Sequence, residues 1–131
     1  MRHNHAPGAP QDWLARARGK LALAQQPLPE GGYWEDLCYM AQQAVELALK
    51  AIYQEKGWHF AFVHDIGHLL DDLENHGLTL PDSIREAEIL TVYATQMRYP
   101  GSYGFITEQD YHVVIAIAEN TVDWASQVIF R

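Results

Sequence analysis

Apolar side chains recur every three or four residues along most of the chain, and this spacing predicts helices. The clearest case is residues 34–56, where the apolar positions keep helical spacing from one end of the segment to the other. Four of these positions are alanines, small enough to let a second helix approach closely: Ala41, Ala44, Ala48 and Ala51. Gly57 follows as a natural C-cap, because glycine adopts a left-handed backbone without strain.

Two further helices flank this segment in the sequence. The first is predicted to begin at Asp12, whose carboxylate can cap a helix, and to end at the proline- and glycine-rich stretch "PLPEGG". The next covers "HDIGHLLDDLENHG", residues 64–77, with a clean apolar stripe facing inward and acidic residues facing solvent. At its start, Asp65 is placed where the positive end of the helix dipole favours a carboxylate.

The last third of the chain predicts two more helices. One opens at Pro81 and closes at "RYPGSYG", because the residue before a proline is driven out of the helical region. The other begins at Thr107 as its cap and runs almost to the C-terminus. No segment alternates long enough for a strand, so we expect an all-α fold: an up-and-down antiparallel bundle of about five helices. Residues 1–11 are expected to form a flexible arm, and residues 12–131 one domain.

Composition narrows the possible functions. The net charge of −8 argues against broad DNA binding, which needs an excess of basic residues. The lone Cys38 cannot form an internal disulfide and, on a helix beside core positions, is expected to behave as a small hydrophobe rather than a nucleophile. The start has no apolar signal segment, and no apolar run approaches the ~20 residues that span a bilayer. These features predict a cytoplasmic protein with no membrane contact.

Two polar patterns could carry chemistry. His64 and His68 have the i, i+4 spacing of zinc-binding helices, but the sequence fixes no third ligand, so we expect no metal and no cofactor. Glu46 and Lys50 have the favoured acid-first order of a helical ion pair. An exposed surface pair is the better interpretation of these two residues, and the alternative is that Lys50 lines a pocket.

Three motifs in order resemble one known family. They are "AQQAVELALKAIY" with Glu46 and Lys50, then "HDIGHLL", then Tyr93 followed by "RYP" at residues 98–100. Together they resemble the prokaryotic HEPN domain family over nearly the whole chain. The resemblance implies a helical bundle that often forms homodimers. It also implies a role beside minimal nucleotidyltransferases in toxin–antitoxin-like pairs, and some members are metal-independent ribonucleases.

The ribonuclease members carry an arginine followed by four to six residues and a histidine, and this chain departs from that pattern. After Arg98 the permitted positions hold Tyr103, Gly104 and Phe105, and His112 comes too late. We therefore expect no catalytic residue. Three functions remain open: a non-enzymatic partner or substrate/nucleotide-binding subunit of a nucleotidyltransferase, a nucleotide- or polyanion-binding module, and a ribonuclease that uses unorthodox residues.

The three functions give Arg98 different roles. It is predicted to lie in the last turn of the fourth helix, where it and Tyr99 could bind a phosphate and stack on a base. Lys50 and His64 complete the ligand-binding candidates, and Glu46 and Asp65 are the structural polar candidates. If Glu46 is partly buried, Arg98 could pair with it.

Overall fold

The computed structural model describes residues 5–101 and 104–131, and for Arg98 it describes the backbone alone. The described residues form five α-helices and two 3₁₀ helices, and none of them forms a strand. This confirms the predicted all-α class. The α-helices are α1 (Pro10–Ala24), α2 (Trp34–Lys56), α3 (Ile66–Asn75), α4 (Asp82–Arg85) and α5 (Glu108–Phe130). The long 3₁₀ helix is Glu86–Ala94, and the short 3₁₀ helix is Gln96–Arg98.

The centre of the bundle is α2, which packs against α1, α5 and the long 3₁₀ helix. All four of its predicted small residues are fully buried: Ala41, Ala44, Ala48 and Ala51. Small side chains at these positions allow the neighbouring helices to approach closely, as the sequence indicated. The helix ends at Gly57, whose φ of 71° is the left-handed C-cap that glycine favours.

The first helix begins earlier than the sequence predicted. Its N-cap is Ala9, so Asp12 lies in the first turn rather than at the cap. Pro10 starts the helix because its missing N–H would have no partner at that position. Asp12 instead reaches back to accept the N–H of Gly8 at 3.0 Å, and Arg16 Nε lies 3.3 Å from its carboxylate. The Asp12 carboxylate therefore still satisfies a backbone donor at this helix end, from inside the helix.

The predicted fourth helix is largely a 3₁₀ helix. Only Asp82–Arg85 is α-helical, and the hydrogen bonding then tightens to the three-residue turn. Ile84, Ala87, Leu90 and Tyr93 are buried, and their spacing of three matches the 3₁₀ period rather than 3.6. The segment reaches the "RYP" stretch as predicted, but with a different pitch.

The last helix, α5, begins with a complete capping box. Thr107 Oγ1 accepts the N–H of Asp110 at 3.1 Å, and the Asp110 carboxylate accepts the N–H of Thr107 at 2.9 Å. By length and composition alone, α5 could cross a membrane. Its buried apolar residues pack against α1, α2 and α4, while Val113 and Phe130 are exposed.

Aromatic side chains cluster around the segment that connects α2 to α3. Phe60 packs edge-on against Trp13, with ring centroids 5.7 Å apart, and Trp58 stacks flat on His76 at 4.2 Å. Phe62 is 96% exposed. The bundle thus covers Trp58 and Phe60 only in part and leaves Phe62 exposed.

Candidate functional site

A polar cluster is centred on the Glu46 carboxylate; Gln42, Glu46 and Lys50 are buried, while the His64 side chain is 70% exposed. Lys50 Nζ lies 2.9 Å from Oε2, and His64 Nδ1 lies 3.0 Å from Oε1. Gln42 Nε2 donates to Oε1 at 3.1 Å and also to the His64 carbonyl oxygen at 3.3 Å. We call these four residues the Glu46 cluster. It joins α2 to the segment before α3 through three donors on one carboxylate.

The ionised form of Glu46 is favoured despite burial. Burial is the largest single influence and by itself raises the pKa of this carboxyl group. The hydrogen bonds from Lys50, His64 and Gln42, together with the charge of Lys50, outweigh burial, and the net pKa is lowered. An ionised carboxylate accepts hydrogen bonds only, so the His64 Nδ1–H donates to it. The cluster is thus a buried Glu46–Lys50 ion pair with two further donors, Gln42 and His64.

The Glu46–Lys50 pair is buried, and its interpretation as an exposed surface pair is wrong. The Lys50 side chain is 9% exposed and the Glu46 side chain 12%. Helical spacing predicts that the two residues meet, but it does not say which way the shared face points. The Lys50 ammonium also lies 5.0 Å from the centre of the Phe60 ring, a cation–π contact. The Lys50 ammonium therefore contacts both the Glu46 carboxylate and the Phe60 ring.

His64 and Asp65 take positions that the sequence indicated only in part. Asp65 is the N-cap of α3, and its carboxylate accepts the N–H of His68 at 3.1 Å. His64 precedes the cap, so it does not share a face of α3 with His68 as the i, i+4 spacing suggested. Within residues 5–101 and 104–131, no group of three or more potential ligands is arranged to hold a metal ion.

Sequence reasoning missed Gln42 as a member of the cluster. Its side chain is fully buried, and its Oε1 has no hydrogen-bond partner among the described atoms. The signal was available, since Gln42, Glu46 and Lys50 are spaced four apart and therefore lie along one side of a helix.

Tyr99 of the "RYP" stretch is not in contact with Glu46 among the described residues. The described partners of Glu46 are Gln42, Lys50 and His64, and Tyr99 is not among them; the Tyr99 side chain is 65% exposed. The side chain of Arg98 lies outside the described part of the chain, so its predicted pairing with Glu46 stays a prediction.

A second feature is a cleft of about 840 Å³ that reaches the "RYP" stretch. Met97 and Pro100, on either side of Arg98 and Tyr99, form part of one wall. The opposite wall is the start of α2. Neither Lys50 nor His64 is among the described residues that line this cleft, so these two ligand-binding candidates do not belong to it.

Cys38 is buried on α2 and carries no nucleophilic chemistry. Burial, with the nearby charges of Glu35 and Asp110, raises the pKa of its thiol to about 12. The thiol is therefore protonated near neutral pH, while nucleophilic attack by cysteine requires the thiolate. The expectation of a small core hydrophobe holds.

These features define an all-α helical bundle with a self-contained internal ion pair and an open cleft at one end. Residues 10–128 match the model of the HEPN domain family, which is nearly the full length of the chain. The chain belongs to the HEPN domain family. Its structure is similar to the crystal structure of an archaeal HEPN homologue, with a TM-score of 0.74 and 30% sequence identity over 92% of this chain and 98% of that one. No curated protein matches the chain significantly.

Proposed function

We propose that this HEPN-domain protein is a non-enzymatic subunit that pairs with a small nucleotidyltransferase in a toxin–antitoxin-like complex. In that complex it serves as the substrate- or nucleotide-binding partner. The observation that carries the proposal is that the Glu46 carboxylate already engages Lys50, which is buried, and His64, whose side chain is 70% exposed. Lys50 and His64, the polar groups of the recognisable family motifs, are bound to a carboxylate of the same chain. These motif residues therefore stabilise the helical bundle. The function is then association with a partner protein.

The ribonuclease alternative has little support from the histidines. The arginine–histidine spacing of the nuclease members is absent from the sequence. His64 Nδ1 faces Glu46, and His112 Nε2 lies 3.1 Å from Glu108 on the first turn of α5. General acid–base catalysis of RNA cleavage needs a titrating group that reaches the substrate beside a partner for the phosphate. Lys50 shares Glu46 with His64, but its ammonium is buried against that carboxylate.

The nucleotide- or polyanion-binding alternative depends on Arg98 and Tyr99 alone. Lys50 is unsuited to bind a phosphate, because its ammonium is buried against Glu46. The exposed ring of Tyr99 is available as a stacking surface for a base. This alternative is separated from the first by whether a nucleotide binds the isolated protein.

The test is co-expression with a nucleotidyltransferase encoded beside this chain, followed by purification and measurement of the mass of the complex. We expect a defined heteromeric complex, a homodimer of the isolated chain, and no RNA cleavage above a matched blank with or without divalent metal. An isolated protein that cleaves RNA, and loses that activity as Arg98→Ala or His112→Ala, would overturn the proposal. Failure to form a complex, combined with nucleotide binding that Tyr99→Ala abolishes, would favour the second function.

A further inference from the structure

The long 3₁₀ helix, Glu86–Ala94, exceeds the usual length of such an element. It runs for nine residues, whereas 3₁₀ helices of more than about three or four residues are uncommon, because their hydrogen bonds have poorer geometry than those of an α-helix. Its own sequence does not exclude an α-helix, since no proline or glycine lies between Asp82 and Tyr99. Asp82–Arg85, directly before it, is α-helical. Contacts with the rest of the chain therefore favour the 3₁₀ pattern.

The apolar positions of this segment fit either type of helix. Its buried side chains include four that are spaced three apart: Ile84, Ala87, Leu90 and Tyr93. Residues three apart point the same way in a 3₁₀ helix, whereas in an α-helix each step of three is offset by about 60°. In an α-helix Tyr93 would therefore point about 180° away from Ile84. Ala94 would take its place, because residues 84, 87, 90 and 94 keep α-helical spacing. The segment thus carries two alternative apolar stripes.

A second face of the segment contacts α3. Thr91 Oγ1 accepts the N–H of Ile66 at 3.0 Å. Ile66 is the first residue of α3, so this N–H has no partner within its own helix. Glu88, three residues before Thr91, lies against the next residue of α3: a Cβ on Gly67 would be only 3.1 Å from Glu88 Oε2. The first turn of α3 is therefore fitted closely to this face.

Arg85, three residues before Glu88, extends the same row of contacts to the middle of α3. Its Nη2 lies 2.6 Å from Asp71 Oδ1, and its Nη1 lies 3.3 Å from Glu74 Oε1. If the segment were α-helical, Thr91 would turn by about 120° relative to Arg85, and the two residues could not both reach α3. The full set of contacts with α3 and the α-helical pattern thus exclude each other.

We propose that the long 3₁₀ helix is a conformational switch: α3 holds it in the 3₁₀ pattern, and release of its contacts with α3 converts it to an α-helix. The two apolar stripes give each form a buried face. The Arg85 contacts are accessible to a partner protein, because the Asp71 and Glu74 side chains are 63% and 48% exposed. A basic group of a partner that binds these carboxylates competes with Arg85 and favours the α-helical form. The switch goes beyond the function proposed above and does not depend on it.

The first experiment compares NMR contacts in the full chain with those in a released variant, Thr91→Val combined with Arg85→Gln. Valine keeps the shape of threonine but cannot accept the N–H of Ile66, and glutamine removes the charge of the arginine. The Hα of residue i lies near the N–H of residue i+2 in a 3₁₀ helix and near that of residue i+4 in an α-helix. We expect i+2 contacts along Glu86–Ala94 in the unchanged protein and i+4 contacts in the released variant.

Amide exchange reports whether the variant has released α3. The Ile66 amide proton should exchange about fivefold faster, as expected for the loss of one hydrogen bond. Contacts of the i+4 type along the segment in the unchanged protein would overturn the proposal. It would also be overturned if the released variant kept its i+2 contacts, because the 3₁₀ pattern would then be intrinsic to the segment. Loss of all helical contacts in the variant would overturn it too, because the segment would have no second form.

Variants that leave the contacts with α3 in place are the matched controls. Thr95→Val removes a hydroxyl that bonds within its own segment, to the Thr91 carbonyl oxygen. Arg18→Gln removes an exposed arginine that pairs with Asp123 of α5. Thr91→Ser keeps the hydroxyl that Ile66 needs. All three variants should keep the i+2 contacts, and conversion in any of them would contradict the role assigned to α3.

A single Arg85→Gln change decides the question if the double variant does not fold. The Arg85 side chain is 32% exposed, so its replacement leaves the core in place. Loss of this contact should raise the population of the α-helical form, and the Cα chemical shifts of residues 90–94 should move toward α-helical values. Shifts identical to those of the unchanged protein at these residues, which lie away from the substitution, would overturn the proposal.

Discussion

Replacing Lys50 with methionine tests whether the Glu46 cluster holds the bundle together. The substitution removes the ammonium 2.9 Å from Glu46 and leaves the carboxylate, whose side chain is 12% exposed, without its lysine partner. Breaking a buried pair by removing one partner costs about 3–5 kcal/mol. Here Gln42 and His64 continue to donate, so we expect a loss of about 2–3 kcal/mol in the free energy of unfolding, below that range.

Methionine is chosen because it keeps the apolar stem of the lysine. The flexible side chain can still pack against Phe60, so little of the measured loss will come from a cavity. For a domain of this size the expected loss corresponds to a fall of about 6–12 °C in Tm.

The assay is urea unfolding followed by circular dichroism near pH 7, with a double-mutant cycle. Glu46→Gln combined with Lys50→Met should cost less than the sum of the two single changes, because the second change no longer leaves a charge unpaired. Arg16→Met is the matched control. Arg16 pairs with Asp12 at the same i, i+4 spacing in the sequence, but its side chain is 68% exposed, so the expected loss is below about 0.5 kcal/mol. A Lys50→Met variant that loses no more than Arg16→Met would refute the reasoning.

Three further outcomes follow from the described contacts. Because the pKa of Glu46 is lowered in the fold, its contribution to stability is present above its ordinary value of 4.5 and is lost as the pH falls through the folded value. The difference in free energy of unfolding between the unchanged protein and Glu46→Gln should therefore shrink on acidification. Urea unfolding at a series of pH values measures it, and a difference that grows would contradict the prediction. Cys38 should react with a thiol reagent only after unfolding; stoichiometric labelling of the native protein within minutes would be inconsistent with its burial and its pKa of about 12. Thr107→Ala should lower the free energy of unfolding by about 1 kcal/mol through loss of the capping box, while Thr107→Ser should keep most of the stability of the unchanged protein. Thermal unfolding of the two variants measures the difference.

Periodic apolar spacing predicted best the helix that has the longest apolar face, α2. The bounds of α2 agree with the prediction at both ends, because a long apolar face and a glycine stop act together there. The start of α1 was misplaced, since Asp12 can bond a backbone N–H either as a cap or from inside the first turn. The long 3₁₀ helix was missed because residues 84, 87, 90 and 94 fit a period of 3.6, while the buried Tyr93 that distinguishes a period of three was not weighed.

The polar cluster was beyond local sequence reasoning for a different reason. The i, i+4 spacing of Glu46 and Lys50 predicts that they meet, but whether their face is buried depends on which segment covers it. The covering segment contains His64 and Phe60, which reach Glu46 and Lys50 across many residues of chain. The cleft was missed for the same reason: its two walls lie more than sixty residues apart in the sequence, at Tyr33 and at Met97.

The pitch of the long 3₁₀ helix sets how far the chain reaches. A 3₁₀ helix rises ~2.0 Å per residue against ~1.5 Å for an α-helix, so its nine residues span about 18 Å instead of about 13.5 Å. Conversion of this segment to α-helical hydrogen bonding would draw Met97 and Pro100 back by about 4.5 Å, most of one α-helical turn. The distance between the start of α2 and Met97 is thus tied to the choice between two hydrogen-bond registers in the long 3₁₀ helix, none of whose residues is among the described lining of the cleft.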